Sequence, residues 1–334
     1  MKLNLYVLAV VGGTLAAGGA ARANDSAAEL AIGGLQLVRT SDVAIESEDL
    51  KISPDRVTVR YRFANTSGKP VTLTVAFPLP DIDLAEAETI ALPSSDPVNF
   101  VDFETRIDGV AAPFRIDQRA TVGDRDVSAL LAQFKLPLLP IGSREIRIGD
   151  LPDATRNKLA DQGLLMPAGT DDRGRQRYAA AWVAKTSAVR QQTFPADRKV
   201  DVEHRYKPSV GTSSDTILRA ALRRNRPLVS EVERYRRDYC ISDAFLAELD
   251  KRAGDKAINA AMMQERRINY VLKTGANWAG PIGSFKLTID PGAGDRLVSF
   301  CQSPLQQATP NGLEFTARNF KPETDLKILI VGRF

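Results

Sequence analysis

Val57-Thr58-Val59-Arg60-Tyr61-Arg62-Phe63, then Asn65-Thr66-Ser67-Gly68-Lys69-Pro70, then Val71-Thr72-Leu73-Thr74-Val75-Ala76-Phe77: this stretch decides the fold class. Val57, Val59, Tyr61 and Phe63 fall on one side and Thr58, Arg60 and Arg62 on the other, the period of a strand buried on one face. After the turn residues, Val71, Leu73, Val75 and Phe77 resume the alternation, so the stretch predicts an antiparallel hairpin. Pro78 and Pro80 end it, because proline cannot donate to a ladder.

The same pattern repeats outward in both directions. Leu35 to Glu48 alternates in short runs, and Phe100 to Ile107 is followed by Asp108-Gly109, a hairpin turn leading into Ala111 to Arg119. From Asp126 to Leu136 the period becomes helical, with Val127, Leu130, Leu131 and Phe134 on one face and Asp126 or Ser128 as cap; a second short helix runs from Asp153 to Gly163. Pro167 to Arg177 reads as an exposed mobile loop. Strands follow at Tyr178 to Thr193 and Lys199 to Tyr206. Thr216 to about Met263 is helical, with Pro227 at a helix start, Ser242 or Asp243 as a cap and Gly254 as a stop. The strand pattern returns at Ile268 to Lys273, Ser284 to Asp290, Arg296 to Cys301, Leu313 to Arg318 and Leu326 to Val331. The predicted fold class is mainly β with a helical insertion (α+β): two antiparallel β-sandwich-like regions, one over 24–150 and one over 151–334, the second carrying the insertion at about 216–263.

Lys2, the apolar run Leu3 to Ala21 and the small-x-small triplet Ala21-Arg22-Ala23 form the three regions of a secretory signal peptide, with cleavage expected after Ala23 and a periplasmic destination. No other stretch has the ~18–20 apolar residues that a spanning helix needs, so no transmembrane segment is expected after cleavage. A composition of 43% hydrophobic and 26% charged residues is that of a globular chain. Cleavage removes Lys2 and Arg22, two cations, and so lowers the formal net charge from +4 to +2, too little to suggest a nucleic-acid partner. Cys240 and Cys301 are the only cysteines; in an oxidising compartment the expectation is a structural disulfide, since neither a CxxC turn nor a depressed thiol pKa is visible.

Several separated motifs then carry a resemblance. They are Asn24-Asp25-Ser26 with Gly33-Gly34-Leu35, Ser47-Glu48-Asp49-Leu50-Lys51-Ile52-Ser53-Pro54, and Val59-Arg60-Tyr61-Arg62-Phe63 with Phe77-Pro78-Leu79-Pro80-Asp81. Further on come His204-Arg205-Tyr206-Lys207-Pro208-Ser209-Val210-Gly211 and Thr274-Gly275-Ala276-Asn277-Trp278-Ala279-Gly280-Pro281-Ile282-Gly283. In this order, over nearly the whole mature chain, they resemble the exported Gram-negative bacterial proteins grouped as domain-of-unknown-function family 4424. That resemblance implies export and assigns no activity, cofactor or catalytic residue. The strands ending at Phe77-Pro78-Leu79-Pro80 are also similar to the start of the vault/inter-alpha-trypsin domain, a β-sandwich scaffold module, and fold-level likeness licenses no function.

The residues themselves offer few sites for chemistry. His204 is the only histidine, on a predicted strand whose Val200 and Val202 share its face, so it reads as packed or hydrogen-bonded; a hydrolase would pair it with Ser209 or Asp201, without a nucleophile motif. One histidine and two oxidised cysteines cannot supply a zinc site. The acidic groups Asp81, Asp83, Glu86, Glu88 and Glu46, Glu48, Asp49 lack EF-hand spacing, and they read as solvated rims. No metal and no cofactor are expected. Trp278 and Asn277 on the glycine-rich loop are binding candidates, as an aromatic there can stack on a ligand, or else Trp278 covers the end of the core. Arg234, Arg236 and Arg237 on the helical insertion are the second candidate face, with clustered cations set among Glu231, Glu233 and Asp238. The sequence thus predicts a non-enzymatic module that binds an envelope protein or polymer, with two alternatives: a periplasmic hydrolase using His204 or a carboxylate pair, or a small-ligand carrier.

Overall fold

The computed structural model describes residues 26–31, 34–85, 90–140, 148, 151–254, 262–301, 307–309 and 312–334. The expected signal peptide, 1–23, lies outside them, as do Glu86 and Glu88. The chain is mainly β with few helices, as its alternation predicts.

A seven-stranded sheet runs β11 (Arg125–Asp126), β10 (Arg115–Val122), β14 (Val183–Phe194), β5 (Val71–Pro78), β1 (Ser26–Ala31) and β2 (Gly34–Val38), with β6 (Ile82–Asp83) also against β14. An eight-stranded sheet packs against it, in the order β20 (Gln307–Thr309), β21 (Gly312–Phe320), β18 (Ile282–Ile289), β3 (Val43–Ile52), β4 (Val57–Asn65), β15 (Val200–Tyr206), β8 (Glu104–Ile107) and β9 (Val110–Ala111). Between them lies an aromatic core in which Phe63 of β4 meets Phe194 of β14 with ring centroids 5.4 Å apart. A third sheet of five strands runs β19 (Leu297–Phe300), β22 (Leu326–Gly332), β17 (Gln264–Tyr270), β16 (Val210–Ser213) and β7 (Ile90–Ala91). Tyr270 carries it into the same core, its hydroxyl 3.4 Å from that of Tyr61.

The stretch that decides the fold class is not a hairpin. β4 pairs with β3 and β15, whereas β5 pairs with β14 and β1 in the opposite sheet. Asn65 fixes the crossing: its side-chain Nδ2 donates to the carbonyls of Lys69 and Phe194, both at 2.7 Å, and its Oδ1 accepts from the Ser67 amide at 2.8 Å. The turn therefore spans the ~10 Å between packed sheets and does not fold back within one. Alternation reports which face a strand buries and is silent about which neighbour it pairs with. Residue 150 is likewise not a sheet boundary. β18 pairs in parallel with β3, and β14 and β15 sit among strands from the first half.

Other expectations shift for local reasons. Asp108 and Gly109, at φ 49° and 80°, do close a hairpin, but β9 is two residues long and the next strand, β10, begins only at Arg115. Pro167 to Arg177 is not a loop throughout: β12 (Leu165–Thr170) and β13 (Gln176–Ala180) form a hairpin with an exposed tip at Asp171–Arg175. β13 and β14 are separate, and the buried Trp182 between them donates its indole N–H to the Leu138 carbonyl at 2.8 Å. At helix α1 (Ser128–Gln133) Val127 occupies the cap position without a side-chain bond, and Asp126 before it takes the Ser128 amide on its Oδ1 at 2.8 Å. Helix α2 (Asp153–Asp161) ends at Gly163, φ 68°, as expected.

Helices α3 (Ala220–Arg223), α4 (Val229–Asp238) and α5 (Asp243–Ala253) cover the back of the five-stranded sheet. Ser242 caps α5, its Oγ accepting from the Phe245 amide at 3.1 Å. β22 explains why they pack there: Ile328 and Ile330 enter the aromatic core, while Leu329 and Val331 join a separate cluster with Val232, Tyr235, Phe245 and Leu249. A strand buried on both faces reads as a continuous apolar run, as Ile328-Leu329-Ile330-Val331 does. One polar group sits in this interface. Glu265, 2% exposed, accepts from the Tyr235 hydroxyl and from Arg267 Nη1, both at 2.9 Å, and burial still pushes its carboxyl above the usual range. Cys240 and Cys301 are bonded, tying the end of α4 to the end of β19.

Candidate functional site

At one end of the eight-stranded sheet, β4, β15 and β8 finish together. Tyr206 is opposite Val57, and Arg205 is opposite both Thr58 and Glu104. The segment before β8 is shaped by Asn99, whose side chain accepts from the Phe103 amide at 2.7 Å and donates to the Phe103 carbonyl at 3.2 Å. Lys207 then fastens β15 to it, its amide donating to the Val101 carbonyl and its Nζ to Asp102 Oδ2, both at 2.8 Å. The result is a solvent-open cleft of about 480 Å³.

Its lining is charged, over a floor of buried aromatic side chains. Phe103 and Tyr206 are 2% and 3% exposed, and the Tyr206 hydroxyl is buried without a hydrogen-bond partner among the described residues. Burial pushes that phenol's ionisation above its ordinary range. Of the charges, Lys207 is paired with Asp102, and Arg205 meets Glu203 at 2.7 Å, a carboxylate it shares with Arg60. Arg56 and Glu104 also line the cleft, both exposed, and neither has an ion-pair partner among the described residues. Such a site can hold a small polar molecule by charge and contact; it contains no nucleophile poised beside a base.

Two smaller depressions lie on the outer face of the same sheet, about 370 Å³ around Arg60, Arg62 and Asp201 and about 260 Å³ around Lys286 and Glu314. Most of their charges are paired within the protein, Asp49 and Arg106 being the ones without an ion pair among the described residues. Arg62 reaches Asp201 through two hydrogen bonds of 2.8 and 3.0 Å and holds that carboxyl below its usual range; Arg60 meets Glu203 at 2.6 Å and Lys286 meets Glu314 at 2.9 Å.

The residues singled out in the sequence lie elsewhere. Trp278 is 3% exposed, with ring centroids 4.7 Å from Phe63 and 5.9 Å from Phe194, so it is a core side chain and no ligand platform. Asn277 is structural too, its Nδ2 donating to Ser26 Oγ and its carbonyl accepting from the Thr40 amide, both at 2.9 Å. A short 3-10 turn, Lys273–Asn277, folds the indole under the sheets, and Gly283 beyond it has no room for a Cβ, which would sit 2.6 Å from the Glu46 carbonyl. Arg234, Arg236 and Arg237 lie on α4, which packs on a different apolar cluster from Trp278; Arg234 pairs with Glu231 and Arg236 with Asp243, leaving Arg237 exposed.

His204 is fully buried, its ring 4.9 Å from Phe77 and 5.1 Å from Phe103. A hydrolase built on it would need solvent-accessible imidazole. The acidic run at Glu46, Glu48 and Asp49 is split by a bulge between Ile45 and Ser47: Glu48 turns inward, 1% exposed, while Glu46 pairs with Lys199 outside. No group of side chains suited to a metal occurs among the described residues. Sequence reasoning missed Arg56 and Glu104, which are 48 positions apart and meet only through the register of β4, β15 and β8.

The comparisons with known proteins bear on this arrangement in one respect. The family profile described as "Domain of unknown function (DUF4424)" matches residues 23–329, nearly the whole chain. Among curated proteins none matches. Solved structures that match include a crystal structure from Legionella pneumophila subsp. pneumophila str. Philadelphia 1, described as a "putative nutrient binding protein". It shares 12% identity, with a TM-score of 0.39 over 93% of this chain and 72% of that one, and a likeness of this size assigns nothing to the chain.

Proposed function

This chain belongs to the DUF4424 family, and from that premise we propose that it is an exported, non-enzymatic binding protein of the cell envelope that holds a small polar ligand at the end of its eight-stranded sheet. One observation carries the reading: the cleft of about 480 Å³ offers a solvent-open, mostly polar site with two charges, Arg56 and Glu104, that have no ion-pair partner among the described residues. Its volume is within the ~300–1,000 Å³ of small-molecule sites. The burial of His204 counts against the hydrolase alternative. Periplasmic residence follows from the signal-peptide pattern of Met1 to Ala23 and is checked by N-terminal sequencing of the periplasmic form, which should begin at Asn24.

The binding reading is tested by native mass spectrometry and thermal melting of the mature protein after exposure to a small-molecule periplasmic extract. Lys207→Trp, at an exposed position lining the cleft, should abolish the bound mass and the melting shift while leaving the unliganded melting temperature near the parent's. A ligand retained equally by Lys207→Trp sinks the assignment of the site.

A further inference from the structure

Resting on that reading of the cleft, we propose that its ligand carries a carboxylate and an ammonium group together: a short peptide with both termini free. Three of the charged groups lining the cleft are already engaged: Lys207 with Asp102, and Arg205 with Glu203, a carboxylate outside the cleft that Arg60 shares. The two left over have opposite signs. Arg56 presents a planar guanidinium, whose fork matches a carboxylate, and Glu104 presents an acceptor-only group suited to an ammonium with its three donors. A ligand bearing one charge would satisfy one of these and leave the other partly desolvated without a partner, which is how such a site discriminates.

The register of the strands sets the length of ligand. Glu104 is opposite Arg205, which is opposite Thr58, and Arg56 precedes Thr58 by two residues. Two strand spacings across and two residues along separate the backbones of Arg56 and Glu104 by about 12 Å. Both side chains line the cleft, so their lengths take up part of that gap. A free dipeptide or tripeptide, at about 3.3–3.6 Å per residue, has the length to span what remains.

Calorimetric titration with Ala-Ala-Ala, its N-acetyl form and its C-terminal amide decides the matter. The parent should bind the free tripeptide at least roughly tenfold more tightly than either blocked form, the loss expected when a charged hydrogen-bonding group is left unpaired. Glu104→Gln should erase the discrimination against the acetylated peptide and keep that against the amide; Arg56→Gln should do the reverse. Neither side chain has an ion-pair partner to lose among the described residues, so both variants should melt with the parent. Blocked peptides binding as well as the free one, or discrimination indifferent to both variants, overturns the proposal. If none of the three peptides binds while Lys207→Trp still abolishes the shift given by the periplasmic extract, the peptide class is wrong and the cleft stands. If that shift survives Lys207→Trp, both fail.

Discussion

Replacing both cysteines by serine, Cys240→Ser with Cys301→Ser, tests how the helical layer is held. The bond closes a loop of 61 residues in sequence separation, and for a loop of this size the restriction of the unfolded chain is worth about 4 kcal/mol as an upper figure. The structure says where that loss should appear. The helices rest on their own apolar cluster, in which Leu329 and Val331 face Tyr235, Phe245 and Leu249, separate from the aromatic core around Phe63 and Phe194. The bond joins α4 to β19, so without it the helical layer should open locally before the two large sheets do. Urea unfolding measures the global change, and hydrogen exchange with peptide-level mass spectrometry locates it. The expected outcome is a loss of about 2–4 kcal/mol, with faster exchange in α4 and α5 and unchanged exchange in β3, β4 and β15. A loss below about 0.5 kcal/mol would refute the entropic argument. Equal acceleration in β4 and α4 would refute the separation into two cores.

Three further outcomes follow from buried groups. Trp278→Ala should cost about 3–5 kcal/mol in urea unfolding, because it empties the space against Phe63 and Phe194, and ligand binding by the folded fraction should be unchanged. Asp81 has its carboxyl pushed up to about 6, mainly by burial and despite Lys185. The folded state therefore holds that proton more tightly than the unfolded chain, and stability should fall as pH rises from about 4 through 6 and level off above; Asp81→Asn should flatten this slope and gain up to about 2–3 kcal/mol at pH 7.5, read from urea midpoints across pH. Arg267→Met leaves Glu265 buried without its cation and should cost about 3–5 kcal/mol at neutral pH, whereas adding Glu265→Gln should recover much of the loss in the same assay.

What the sequence determined by itself is the set of faces. Val57, Val59, Tyr61 and Phe63 had to point to one side, Ser242 could cap a helix, and Ile328 to Val331 could lie only where both faces are covered, because side-chain period and backbone hydrogen bonding are local properties. Two lone cysteines in a chain with an export signal pattern likewise pointed to the bond that the fold forms. Partners were decided by the tertiary structure. β4 and β5 alternate as hairpin strands do, and only the crossing at Asn65 places them in opposite sheets; β18 reaches back more than two hundred residues to lie beside β3. The same distinction governs the site. Trp278 looked available for a ligand and is sealed by aromatic neighbours brought from distant strands, His204 is packed as its strand neighbours implied, and Arg56 and Glu104 looked ordinary and come to line one cleft through strand register. Register between strands far apart in sequence depends on how whole faces pack together, which one segment's pattern constrains but does not pair.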